Sequence, residues 1–177
     1  MRSKFRIYNK DAVYFVTSTI VNWIPLFNNE KYSEILINTI KHCQTHKSLI
    51  LYAYVIMPDH FHMIISNDEI SKLMQSIKKF TAKEIISKLT EDKNERVLEE
   101  FKKARPEHKI TSIHQFWQES FHPQEMLNIE IMNKKIEYIH QNPVRKGLVE
   151  EAVDWKFSSA VDYYSDKKGL LEITKTF

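Results

Sequence analysis

The 177-residue chain contains only 2 glycines, 5 prolines and 1 cysteine. With so little glycine there is no glycine-rich phosphate loop, and neither a G-x-G-x-x-G nor a Walker pattern occurs. The same scarcity excludes collagen, flexible linkers and proline-rich tracts. A single cysteine, Cys43, excludes a disulfide framework and a cysteine-based zinc site. It points to a reduced, cytoplasmic setting. No apolar run approaches the ~20 residues of a membrane span. The opening MRSKFRIYNKD is basic with no apolar stretch behind it, so neither a secretory leader nor a membrane partner is expected. The formal charge of +3 is a mild basic bias, compatible with nucleic acid. Apolar residues at 42% and charged residues at 28% are ordinary for a folded domain. The length suits one domain over residues 1–177.

Hydrophobic periodicity orders that domain. Residues 12–21, AVYFVTSTIV, are β-branched and aromatic and predict a strand. Asn28 or Asn29 caps a helix to about residue 46, with Tyr32, Leu36, Ile40 and Cys43 as its apolar stripe. LILYAYVIM (49–57) and HFHMIIS (60–66) predict two strands joined through Pro58 and Asp59 as a hairpin. Alternation places Tyr52 and Tyr54 on one face. A second helix follows over about 69–89. Residues 91–109 carry 12 charges in 19 positions and predict a solvated helical excursion ending at Pro106. ITSIHQFW (110–117) predicts a fourth strand, 124–141 a third helix stopping before Pro143, and 154–164 a short extra helix followed by a tail over 165–177. The order is an α+β, ferredoxin-like antiparallel sheet with helices packed on one face and an extra C-terminal helix.

Two segments carry chemistry. In YVIMPDHFHMIIS, His60 and His62 are two apart on a strand and so share a face, while Phe61, Met63 and Ile65 take the other. The spacing alone leaves three readings open: half of a metal site, a surface or hydrogen-bonded core pair, or an acid–base pair. On the third helix, Ile129, Met132, Ile136 and Ile139 form the packing stripe. Tyr138 lies off it, on the side of Lys134, Lys135, Gln141 and Asn142. A half-exposed packing tyrosine is one reading. A hydroxyl nucleophile with cations for phosphate and an amide one turn on is the other.

Taken together, MPDHFH, FWQESF (116–121), YIHQNPVRKGLV (138–149) and DWKFSSAVDYY (154–164) resemble the single-tyrosine HUH transposases, and within them the REP-associated tyrosine transposases. The resemblance extends over residues 8–164 and includes YFVTSTIVNWIPLF (14–27). It implies cleavage and rejoining of single-stranded DNA by transesterification through a 5′-phosphotyrosine. Carried over, Tyr138 is the nucleophile, His60 and His62 are metal ligands, and the third ligand is Asn142, or its neighbour Gln141. The implied cofactor is a divalent ion, Mg²⁺ or Mn²⁺. The excursion over 91–109 is longer than the family's usual connection.

The implied partner is single-stranded DNA with hairpin-containing element ends. Lys72, Lys78, Lys79 and Lys83 on the second helix, with Lys134, Lys135, Arg145 and Lys146 around the third, are the candidate phosphate contacts, and Trp117 is the candidate stacking aromatic. Related small transposases often act as dimers. The segment after residue 150 favours a self-sufficient monomer if it packs on its own domain. Two rivals differ in chemistry: a non-catalytic nucleic-acid-binding module on the same fold, and a metal-dependent phosphoester hydrolase, which leaves no covalent protein–DNA species.

Overall fold

The computed structural model describes residue 9 and residues 12–107, 112–119 and 122–175. Its elements in chain order are β1 (Tyr14–Thr19), α1 (Glu30–His46), β2 (Ile50–Ile56), β3 (His60–Ser66), α2 (Ile70–Glu91), α3 (Glu95–Lys103), β4 (Gln124–Glu125), α4 (Ile129–His140), α5 (Asn142–Arg145) and α6 (Ala160–Tyr164). The strands form one antiparallel sheet in the order β2-β3-β1-β4, which is the ferredoxin-like arrangement. No helix among the described residues is long and apolar enough to cross a membrane.

The register decides what each face of the sheet holds. Thr19 lies opposite His60, Thr17 opposite His62 and Phe15 opposite Ile64. Directly opposed residues of an antiparallel pair point the same way. One face therefore carries Phe15, Thr17, Thr19, His60, His62 and Ile64. The other carries Tyr14, Val16, Phe61, Met63 and Ile65, which are buried with the stripes of α1 and α2 in the larger core. The helices expected on one face are α1 and α2. The histidine face is covered in its turn by α4, whose Met132, Ile136 and Ile139 pack with Phe15, Ala53, Val55 and Ile64. Each such buried side chain contributes roughly 1.5–3 kcal/mol, so α4 is held on the histidine face by its own stripe.

Several predicted boundaries move for identifiable reasons. A β-bulge between Leu51 and Ala53 breaks the alternation of β2. Tyr52 therefore joins the α4 side and Tyr54 the larger core, not one shared face. The fourth strand is not at 110–117. Residues 110–111 lie outside the described residues, and the rest contributes one bridge, Ile20 to Trp117. The fourth strand is Gln124–Glu125, against Tyr14 and Phe15. That pairing, and the Asn128 side chain accepting the Ile131 N–H at 2.9 Å, delay the third helix to residue 129. At its far end Pro143 lacks the N–H that would continue the ladder, and it starts the short α5 instead. The charged excursion is not wholly solvated: α3 buries Leu98 and Phe101. Phe101 packs 5.0 Å from Phe116, and its carbonyl accepts the Gln115 N–H.

The C-terminal segment runs along the outer edge of β2. The Ile56 N–H donates to Phe157, the Ser159 N–H to Tyr54 and the Thr174 N–H to Leu51. The Trp155 indole N–H donates to the Ile56 carbonyl at 2.9 Å, and the Tyr163 hydroxyl to that of Tyr52 at 2.7 Å. The edge is thus paired within the chain, which removes it as a template for another strand.

Candidate functional site

His60 follows the Pro58–Asp59 turn, closed by the Met57 N–H donating to the His60 carbonyl at 2.7 Å. Period two then brings His62 to the same face, with the ring centroids 4.8 Å apart and the planes at 71°. Both rings are oriented through Nδ1. The Asp59 carboxylate lies 2.5 Å from Nδ1 of His60, and the Thr17 hydroxyl 2.7 Å from Nδ1 of His62. A carboxylate can only accept, so Nδ1 of His60 carries a proton, and Nε2 is the ring nitrogen left outside that bond. The Thr17 hydroxyl can accept in the same way at His62. Phe15 stacks on His62 at 5.1 Å. His62 is pushed down to about 3 by burial first, then by the charges of His60, Lys135 and Arg145. It is a neutral imidazole at any ordinary pH.

Tyr138 meets this pair from α4. Its ring lies 5.8 Å from that of His62 and 6.2 Å from that of Phe15, yet the side chain is 40% exposed. Among the described residues its hydroxyl makes no hydrogen bond. Two cations flank the ring: the Arg145 guanidinium at 4.6 Å and the Lys135 ammonium at 5.1 Å, the latter also 4.5 Å from the Phe15 ring. Arg145 and the Asn142 amide both donate to the Tyr138 carbonyl, at 3.0 and 2.9 Å. These bonds tie the start of α5 to the end of α4.

Among the described residues no three His, Cys, Asp or Glu side chains gather as a metal site. Two imidazoles are the donors of that kind here; the third ligand that the resemblance implies is the amide of Asn142 or Gln141. Asn142 is buried, and its Nδ2 is spent on the Tyr138 carbonyl, which leaves Oδ1. Gln141 instead lines a separate depression of about 310 Å³ with Val144, Glu150 and Tyr164.

Other predicted residues stand elsewhere. Lys72, Lys78, Lys79 and Lys83 belong to α2, on the sheet face opposite the histidines. Lys72 pairs with Glu69, and Lys78 donates to the Gln118 carbonyl at 3.0 Å. Lys134 pairs with Glu130 at 2.6 Å, whereas Lys135 turns to the site. Lys146 is exposed at the end of α5. Trp117 is not available for stacking on bases: it is 4% exposed, wedged among Phe27, Phe61 and Phe116, with its indole N–H donated to the Lys78 carbonyl.

Four supports of the site escape sequence reasoning. Asp59 is legible only as the residue before His60. Thr17 and Phe15 become visible through the β1–β3 register. His140 is fully buried on the other side of α4, with Nε2 2.8 Å from the Ser159 hydroxyl and Nδ1 3.3 Å from that of Tyr164. Burial pushes it down to about 4. This neutral ring fastens the tyrosine helix to the C-terminal segment.

A site of two oriented imidazoles, an exposed phenol and two cations invites comparison with known proteins. The model of the family "Transposase IS200 like" matches residues 14–142. No curated protein sequence matches the chain. Among solved structures, a REP-associated tyrosine transposase bound to a REP hairpin is similar, with a TM-score of 0.68 and 22% identity over 92% of this chain and 84% of that one. A candidate transposase from Deinococcus radiodurans R1 gives a TM-score of 0.44 and 17% identity over 78% of this chain and 96% of that one. The family match spans most of the chain and includes His60, His62, Tyr138 and Asn142, and the chain therefore belongs to the IS200-like transposase family.

Proposed function

We propose that the protein cuts and rejoins single-stranded DNA by transesterification, with Tyr138 as nucleophile. One observation carries the reading: a half-exposed phenol with no hydrogen bond among the described residues stands beside His62, one of two oriented imidazoles, with two cations against its ring. The Tyr138 oxygen attacks the scissile phosphorus. A tyrosine–phosphate bond forms as the bond to the 3′-oxygen breaks, and that oxygen leaves with a proton as a 3′-hydroxyl. The phosphodiester energy is kept, so another 3′-hydroxyl can reverse the step.

His60 and His62 through Nε2, with Asn142 through Oδ1, would hold a divalent ion of the Mg²⁺ or Mn²⁺ class, the two nitrogen donors favouring Mn²⁺ over Mg²⁺. Such an ion polarises the scissile phosphate when bound. The chain itself positions the phenol, through α4, and surrounds it with positive charge. Lys135 and Arg145 stabilise phenolate and hold phosphate oxygens, because no carboxylate pairs with Lys135 among the described residues. Incubation with a hairpin-bearing single strand labelled on its 3′ side tests the reading: label becomes attached to protein and the 5′ side is released with a free 3′-hydroxyl. Hydrolysis without an adduct sinks it.

The two lysines give a sharper expectation. Lys135→Ala lowers the single-turnover cleavage rate by about 100-fold, the cost of removing one charge-stabilising group. Lys134→Ala, whose partner is Glu130, changes it less than about threefold. Equal losses in both would make the lysines general electrostatic contacts.

The reading includes action as a monomer. Tyr138 and His62 meet within one chain, and the edge of β2 is already paired. Light scattering at micromolar concentration is expected to give the 21.2 kDa monomer mass. A dimer mass counts against it.

A further inference from the structure

The loop from β1 to α1 holds a backbone conformation that its residues resist. Asn22 and Trp23 are consecutive left-handed residues, with φ of 55° and 50°. There Cβ crowds the backbone, which asparagine tolerates and tryptophan does not readily accept. No burial offsets this at Trp23, whose side chain is 67% exposed. Nor is the loop loose. Val21, Leu26 and Phe27 are buried on either side of it, and the Val21 N–H donates to Phe116 at 2.9 Å.

Two further bonds locate the loop. The Ile20 N–H donates to the Asp59 carbonyl at 2.8 Å and the Phe27 N–H to the Pro58 carbonyl at 2.9 Å. The loop therefore grips, from both of its ends, the turn that delivers His60. Asp59 serves twice, since its carboxylate also orients the His60 ring. A rigid loop thus keeps an indole in water at the histidine end of the sheet, at the expense of backbone strain. Strain of this kind persists where the surrounding structure over-determines it, and it concentrates at ligand-binding sites.

We propose that Trp23 is a stacking platform for a nucleobase flanking the scissile phosphate. The inference rests on the reading of the protein as a single-strand DNA enzyme. An indole face stacks on any base, so the contact holds the strand without reading its sequence. It supplies the aromatic component that Trp117, being buried, does not.

The test uses the full chain and an oligonucleotide carrying single-stranded flanks. Trp23→Ala is expected to weaken binding by about tenfold and Trp23→Phe by no more than about threefold, since stacking needs only a π-face. The slope of log affinity against log salt stays unchanged in Trp23→Ala, because no phosphate contact is lost. Abasic substitution along the flank then identifies one position where removing the base weakens wild-type binding by about tenfold and Trp23→Ala binding not at all. Trp23→Ala binding like wild type, or matching abasic profiles in the two proteins, overturns the platform. A wild-type adduct with either of those results overturns the platform alone. Base-dependent binding through Trp23 with no adduct on any strand supports the platform and overturns the cleavage reading. Absence of single-strand binding by wild type overturns both.

Discussion

Tyr138→Phe is expected to lower covalent adduct formation by at least about a thousandfold, the scale on which losing a nucleophile acts, while leaving fold and DNA affinity nearly intact. Phenylalanine keeps the ring that Phe15, His62, Lys135 and Arg145 surround. It lacks only the oxygen. That oxygen makes no hydrogen bond among the described residues, so its removal leaves no orphaned partner, and stability should change by less than about 0.5 kcal/mol. The other tyrosines of the described residues are poor substitutes. Tyr14, Tyr32, Tyr52 and Tyr54 are buried. Tyr163 donates to the Tyr52 carbonyl, and burial pushes it up to about 12. Tyr164 is exposed but stands with His140 on the other side of α4. An adduct that survives Tyr138→Phe, detected as label shifted with protein on a denaturing gel, overturns the assignment.

The residues of the site differ in how plainly the amino-acid sequence reveals them. His60 and His62 are legible because a strand's period of two is independent of context: whichever strands flank β3, the two side chains share a face. Tyr138 is legible because the helical stripe of Met132, Ile136 and Ile139 leaves it outside. That these two faces meet is not written in either pattern. It depends on α4 covering the sheet face that α1 and α2 leave open, a long-range packing outcome. The same limit explains the α2 lysines. Lys72, Lys78, Lys79 and Lys83 gather on one helix in the sequence, but α2 packs behind the sheet. Trp117 misleads for a related reason. Apart from Phe116, its near neighbours in sequence, Gln115, Gln118 and Glu119, are polar, whereas Phe27 and Phe61, which close over it in space, come from distant parts of the chain. Simple alternation puts Tyr52 and Tyr54 on one face because the bulge carries no marker here; glycine, its usual signature, is absent from β2.

Removal of the imidazoles is expected to abolish cleavage by a different route from removal of the phenol. His60→Ala and His62→Ala should each bring strand cleavage below detection and also eliminate measurable divalent-ion binding by calorimetry, whereas Tyr138→Phe retains that binding. The two histidines are the imidazole donors of the site, and either alone offers one nitrogen with a single amide, too few donors to hold an ion against water. The supports predict a graded series below these losses. Asp59→Asn substitutes an amide that can present N–H to Nδ1 of His60, which favours the wrong tautomer and moves the proton to Nε2. Ion affinity should then fall by about 10–100-fold, the usual cost of losing such a support. Thr17→Val leaves the His62 Nδ1 without its 2.7 Å partner in a buried setting, and it should fall in the same range. Because Asp59 and Thr17 act through the imidazoles they orient, excess Mn²⁺ should restore cleavage in both variants. It should not restore cleavage in His60→Ala, His62→Ala or Tyr138→Phe. Rescue of a histidine variant by metal would mean that the imidazoles serve proton transfer or packing, and ion binding that survives His60→Ala would move the site elsewhere.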